Sequence, residues 1–302
     1  MFILLPVAVD YQARRYPVVT FTLMGINTAI YLLGLVLFFG GDRETEPLVM
    51  KLGLIPAEKT SWTWITSMFV HEGFFHLAGN MIYLFLFGAC VEDLLGRLRF
   101  SLFYLGGGLL ANLSQVLLTT DADLDIPIVG ASGAICACIG AFIIVLPGTE
   151  INFRYFGWIF FRIFSGEFWL KAWLVIAFWF LMDFASLVLQ LGFAGGGGGV
   201  AFGAHVGGTL AGALVMWLLN RGVRKTDDTV TAPAMALPLR SAGRAVAQQP
   251  DAPPAIYLYV NEQQIGPFAR RRIQEMLALG SITPDTQYWQ EGMPEWRPVA
   301  EL

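Results

Sequence analysis

Six stretches of this chain, at roughly residues 18–39, 74–91, 100–118, 128–146, 168–191 and 200–219, are each apolar over close to the length that an α-helix needs to cross about 30 Å of hydrocarbon. Runs this long leave few folds open, because a backbone in lipid must satisfy its own hydrogen bonds and a continuous apolar run does so as a helix. The composition agrees: 56% of the 302 residues are hydrophobic and only 14% charged, with a mean hydropathy of +0.59, which excludes an ordinary soluble enzyme. The expected fold is an all-α membrane protein, a six-transmembrane helical bundle, with a small C-terminal cytoplasmic α+β domain.

Charge placement sets the expected topology. One set of flanks carries Arg14, Arg15, Arg97, Arg99, Arg154, Arg162, Lys171, Arg221, Arg224 and Lys225, whereas the other carries Arg43, Lys51 and Lys59. Positive residues stay inside, so both termini are expected in the cytoplasm, and the protein is read as a multi-pass component of a bacterial inner membrane. A net charge of −4 offers no basic field, so no nucleic-acid partner is expected. The opening MFILLPVAV lacks both a preceding positive charge and a small-residue cleavage site, and is not read as a signal peptide. The segment 151–164, with Arg154, Arg162 and seven aromatics, suits an inner-leaflet interface.

Composition also divides the chain. Residues 1–225 form the membrane domain; 226–254, rich in Ala, Pro and polar residues, read as a flexible tether. Residues 255–302 follow with an alternating IYLYV, a turn-like NEQQIGP, a helical FARRRIQEMLALG and aromatic runs around Trp289 and Trp296. Cys90, Cys136 and Cys138 all lie in apolar runs and read as small packing residues.

Polar groups inside spans are costly and point to function. The second, fourth and sixth spans run in the same direction, and His71, His76, Ser132 and His205 lie near their beginnings, in one layer. Ser132, in GASGAICACIGA, falls in the first turn of its span beside unpaired amides that can hold an oxyanion. Small residues at 133, 137 and 141, and Gly208 and Gly212 after His205, allow two helices to approach until Ser132 and His205 meet. A serine needs a base, and this layer holds one. His76 and Asn80 lie one turn apart on one face, while His71 sits at or before the helix start. A metal or haem held by His76 and His205 lacks a carboxylate or thiolate to complete its shell, so no cofactor is expected. Asp183 is the one carboxylate well inside an apolar run; it is read as packing against a polar group or water rather than as a third catalytic member. The glycine run at 195–199 reads either as a floppy outer loop or as backbone lining a wet approach to the site.

Over residues 17–220, WTWITSMFVHEGFFHLAGNM, FGACVEDLLGRLRFSLFYL, GASGA and AHVGG, in that order, resemble the rhomboid intramembrane serine proteases. The resemblance implies a rhomboid-like bundle that cleaves transmembrane protein substrates within the lipid bilayer by a dyad. Ser132 would be the nucleophile and His205 its base and acid; His76 and Asn80 would join the Ser132 amide in the oxyanion hole, with His71 a supporting neighbour. Glu92 and Gly96 fall on the family's structural ExxxG turn. Four residues after the serine, Cys136 replaces an aromatic that in some members supports the catalytic histidine. The last residues resemble a GYF-related domain, through GPF at 266–268 and GSITPDTQYWQEGMPEW, which implies a cytoplasmic proline-rich peptide partner.

Overall fold

The computed structural model describes residues 2–37, 46–58, 60–159, 162–192, 199–223, 256–260, 263–268, 270, 273, 276–277, 282–290, 293 and 295–302. Contacts divide the chain into two units, Met1–Arg240 and Ser241–Leu302. The expected tether at 226–254 lies outside the described residues.

The first unit runs β1 (Phe2–Val9), α1 (Val18–Leu37), α2 (Glu46–Leu52), α3 (Thr63–Thr66), α4 (Phe74–Tyr83), a π-helical turn (Leu84–Gly88), α5 (Ala89–Leu95), α6 (Arg97–Leu118), α7 (Ser132–Val145), β2 (Glu150–Ile159), β3 (Arg162–Lys171), α8 (Ala172–Gly192) and α9 (Phe202–Val223). Among the described residues, five helical runs are long and apolar enough to span a membrane, the second being the continuous run Phe74–Leu95. These helices leave large apolar side chains exposed, including Val36, Leu117, Phe178 and Leu214, as a lipid-facing surface requires. The protein is an integral multi-pass membrane protein.

The fourth expected span is shorter than its sequence run. α7 has 14 residues, about 21 Å of helix. Residues 128–130 enter it as non-helical backbone: Ile128 pairs with Leu54, the Gly130 N–H donates to the Ser67 carbonyl at 2.9 Å, and Gly130 has φ of 110°. That left-handed φ is open to glycine and strained for other residues. α7 is apolar all round, with Ala134, Ala137, Cys138, Ala141 and Phe142 fully buried, so it forms the centre of the bundle.

The ExxxG turn performs two anchoring tasks. Glu92, itself buried, accepts hydrogen bonds from the Val19 and Thr20 amides and the Thr20 hydroxyl at 2.7–2.9 Å, satisfying orphan donors at the start of α1. Asp93 accepts from the Tyr11 hydroxyl and the Arg14 and Arg15 amides. Gly96, at φ of 75°, ends α5 and starts α6.

A sheet not foreseen in the sequence closes the end of the bundle opposite Ser132. β1, β2 and β3 pair antiparallel in that order, with Leu5 opposite Arg154 and Phe153 opposite Phe168. The segment expected to lie along an interface is thus β2 and the start of β3, and the fifth span begins at Ala172 rather than near 168. Phe153 stacks on Phe168 and meets Trp179 edge-on, which ties the sheet to α8.

The second unit has β4 (Ile256–Val260), β5 (Gln263–Phe268), β6 (Gln287–Gln290) and β7 (Arg297–Pro298), ordered β5-β4-β6-β7. Ile256, Leu258, Ile273, Ile282, Tyr288 and Val299 form its core. The expected strand IYLYV is β4; most of the helix expected over 268–280 falls on residues outside the described ones.

Candidate functional site

Ser132 is the first residue of α7, and no side chain caps that N-terminus. The seam between α7 and α9 is made of glycines: a β-carbon at Gly208 would run into the Gly133 carbonyl, one at Gly212 into the Ala137 carbonyl, and one at Gly140 into the Thr209 carbonyl. Backbones therefore touch, and the small-residue spacing read from the sequence has this physical outcome. The seam brings His205 Nε2 to 2.9 Å from Ser132 Oγ, within the reach a base needs to take a hydroxyl proton.

His76 and Asn80 approach the same point from α4. A β-carbon on Gly130 would lie 2.6 Å from His76 Nε2 and 3.5 Å from Asn80 Nδ2, so the glycine backbone leaves room for both donors beside Ser132. Asn80 Nδ2 is buried and has no hydrogen-bond partner among the described residues. A buried donor left unpaired is costly, which suits a group whose acceptor arrives with a substrate.

All four side chains line a cavity of about 660 Å³, walled by α4, α6, α7, α8, α9 and the segment 126–129. Of the glycine run, only Gly199 is described, and it lines this cavity. Asp183 also lines it, and the polar group that this carboxylate packs against is the His205 ring. Asp183 Oδ2 lies 3.3 Å from His205 Nδ1, on the ring edge opposite Ser132.

The Rhomboid domain family matches residues 58–222, more than half of the chain, and the residues around Ser132 and His205 lie inside the match. The chain belongs to the rhomboid family. Among its relatives, YdcA of Bacillus subtilis (strain 168) is 34% identical over 137 residues, covering 44% of this chain and 64% of the relative. The rhomboid protease GluP of the same organism is 34% identical over 129 residues, 42% of this chain and 24% of the relative. Rhomboid protein 1, mitochondrial, of Saccharomyces cerevisiae is 29% identical over 163 residues, 53% of this chain and 42% of the relative. The chain thus spans less than two thirds of the length of these curated relatives. GYF domain 2 matches residues 257–302. There Tyr257 packs against Trp289 and Tyr259 against Trp296, with Tyr259 and Trp296 exposed.

Within this rhomboid bundle His71 does not reach the cavity. It is buried with its ring edge-on to His76, centroids 5.0 Å apart, so it packs behind the ring that faces Gly130. Burial pushes His71 down to about 3, the nearby His76 adds to the effect, and the Phe69 carbonyl partly offsets it. An unfolded histidine titrates near 6.5, so the folded state resists a proton that the unfolded state accepts between about pH 6.5 and 3. Stability is therefore complete above pH 6.5 and falls as pH drops through that window. Between pH 6.5 and 5 this one ring accounts for a loss of about 2 kcal/mol. Thermal unfolding in detergent is expected to show that loss in the parent, and a correspondingly flatter dependence in His71→Gln.

Cys136, one turn below Ser132, brings a thiol to the same place. Cys136, Asp183 and His205 have ligand atoms within 4.8 Å of one another. This cluster shares only His205 with the His76–His205 pair weighed in the sequence.

Proposed function

We propose that the chain is an intramembrane serine endopeptidase that cleaves transmembrane-helix substrates near the outer membrane face, with Ser132 as nucleophile and His205 as base. The observation that carries this reading is the 2.9 Å approach of Ser132 Oγ and His205 Nε2 on the wall of a cavity within a membrane-spanning bundle. α7 is about 21 Å long, less than the ~30 Å hydrocarbon depth, which supports a Ser132 set below the membrane surface.

The chemistry follows from placement. Nε2 takes the hydroxyl proton as Oγ attacks the scissile carbonyl carbon. The carbonyl oxygen becomes an oxyanion held by the Ser132 amide, His76 and Asn80. The C–N bond breaks as Nε2 returns the proton to the leaving nitrogen, and water activated by the same ring releases the acyl group. A regular α-helix engages its carbonyls in hydrogen bonds, so substrates are helices that unwind at the cavity. The reading includes both termini in the cytoplasm of a bacterial cell, and a division into 1–225, 226–254 and 255–302. The C-terminal module takes proline-rich cytoplasmic peptides on its Tyr259–Trp296 surface.

The direct test needs no substrate: a fluorophosphonate probe added to the purified chain in detergent should modify the protein, and peptide mapping should place the adduct on Ser132. Absence of an adduct, or an adduct on another residue, overturns the reading.

A further inference from the structure

We propose that Asp183 is a positioning residue for His205, so that Ser132, His205 and Asp183 act as a line of three groups; the inference rests on the protease reading above. An imidazole has two nitrogens with separate tasks, and here each faces one group: Nε2 meets Ser132 Oγ at 2.9 Å and Nδ1 meets Asp183 Oδ2 at 3.3 Å. The second distance is long for a charge-assisted hydrogen bond, as catalytic contacts often are before substrate arrives.

Three further observations favour this role over a merely structural one. Among the described residues that line the cavity there is no lysine or arginine, the other carboxylates are Glu72 and Asp123, and of the two histidines His205 is the one within 3.3 Å of Asp183. The cavity wall at position 136 is a small cysteine, with its sulfur within 4.8 Å of the Asp183 carboxylate and the His205 ring, which leaves the carboxylate space to reach Nδ1. Phe202 meets the ring edge-on with centroids 6.3 Å apart, so the ring is held by an aromatic neighbour and by the carboxylate together.

The consequence is a fixed tautomer. An ionised carboxylate only accepts, so it keeps the ring proton on Nδ1 and leaves the Nε2 lone pair bare for the Ser132 proton. During attack the proton moves from Oγ to Nε2, the ring becomes a cation with a proton on each nitrogen, and Asp183 balances that charge without taking a proton itself. The proton then leaves from Nε2 to the amine as the C–N bond breaks. An asparagine at 183 offers an NH₂ as well as a carbonyl, and so permits the opposite tautomer, with Nε2 protonated and unable to act as base.

The chain has three histidines, so ¹⁵N-histidine labelling gives three rings to assign, with His205 identified by its loss in His205→Ala. The parent is expected to show His205 protonated on Nδ1 and bare on Nε2 when the ring is neutral; the reverse tautomer overturns the proposal without any variant at 183. In cleavage of a transmembrane substrate, Asp183→Asn should lower kcat by about 10²- to 10⁴-fold and leave KM within about threefold, and Asp183→Glu should recover part of kcat. A folded Asp183→Asn with parental kcat overturns the proposal, as does a loss confined to KM. A parent that neither cleaves nor accepts a fluorophosphonate fails at Ser132 itself and removes the protease reading, and this role for Asp183 with it, whatever the tautomer.

Discussion

Ser132→Ala should abolish fluorophosphonate labelling and reduce cleavage of a transmembrane substrate by about 10⁴-fold or more, while melting within a few degrees of the parent. The two halves of that expectation have different physical origins. Removing the nucleophile of a serine protease eliminates the covalent route, and what survives is the contribution of the oxyanion hole and binding. The fold loses only one hydroxyl, whose hydrogen bond is to His205 on a cavity wall, a contribution of about 1 kcal/mol or less. Asn80→Ala provides the graded comparison. Its Nδ2 is buried and unpartnered among the described residues, so truncation removes one donor aimed at the developing oxyanion, a loss of about 10²- to 10³-fold in kcat in other acyl-transfer sites. A Ser132→Ala protein that cleaves like the parent would place the chemistry elsewhere in the bundle.

What could be read from the sequence was whatever local pattern expresses. The start of α1 at Val18 and the end of α6 at Leu118 follow the limits of their apolar runs. The one-turn spacing of His76 and Asn80 puts both at Gly130, and Gly208 and Gly212 of α9 meet the Gly133 and Ala137 carbonyls of α7. Features set by distant partners were not legible. β1 finds β2 about 150 residues along the chain, and the sequence between β2 and β3, Ile159-Phe160-Phe161-Arg162, carries none of the Gly, Asn, Asp or Pro residues that mark a hairpin. Aromatics alternating with cations in this segment satisfy an interfacial reading as well as a strand. Asp183 illustrates the same limit within a helix. Its depth in the fifth span was readable, but the rotation of α8 that turns its carboxylate toward Nδ1 depends on packing against α9, which no spacing within either helix encodes. The entry to α7 lies between these cases: Gly130 disfavours helix, but it falls inside the apolar run 128–146 that Pro127 precedes.

Gly212→Ala is expected to destabilise the protein by about 3 kcal/mol or more and to remove labelling at Ser132, although Gly212 lies seven residues beyond His205, about 10 Å along α9. The added methyl group would run into the Ala137 carbonyl and also come within 2.6 Å of the Ala137 backbone Cα. No flexible side chain can yield there, so α7 and α9 must move apart. Separation of the seam acts directly on the site, because Ser132 and His205, 2.9 Å apart, belong to the two helices that it joins. Misplacement of reacting groups by about 1 Å costs about 10²-fold in rate. The informative comparison is Gly106→Ala on α6, where a β-carbon would meet nothing within 4 Å. There the same chemical change gains helix propensity, up to about 1 kcal/mol, and should leave labelling intact. Thermal unfolding and probe labelling of the pair in detergent separate close backbone contact from the general effect of replacing glycine in a helix; equal behaviour of the two variants would mean that the seam does not hold the site together.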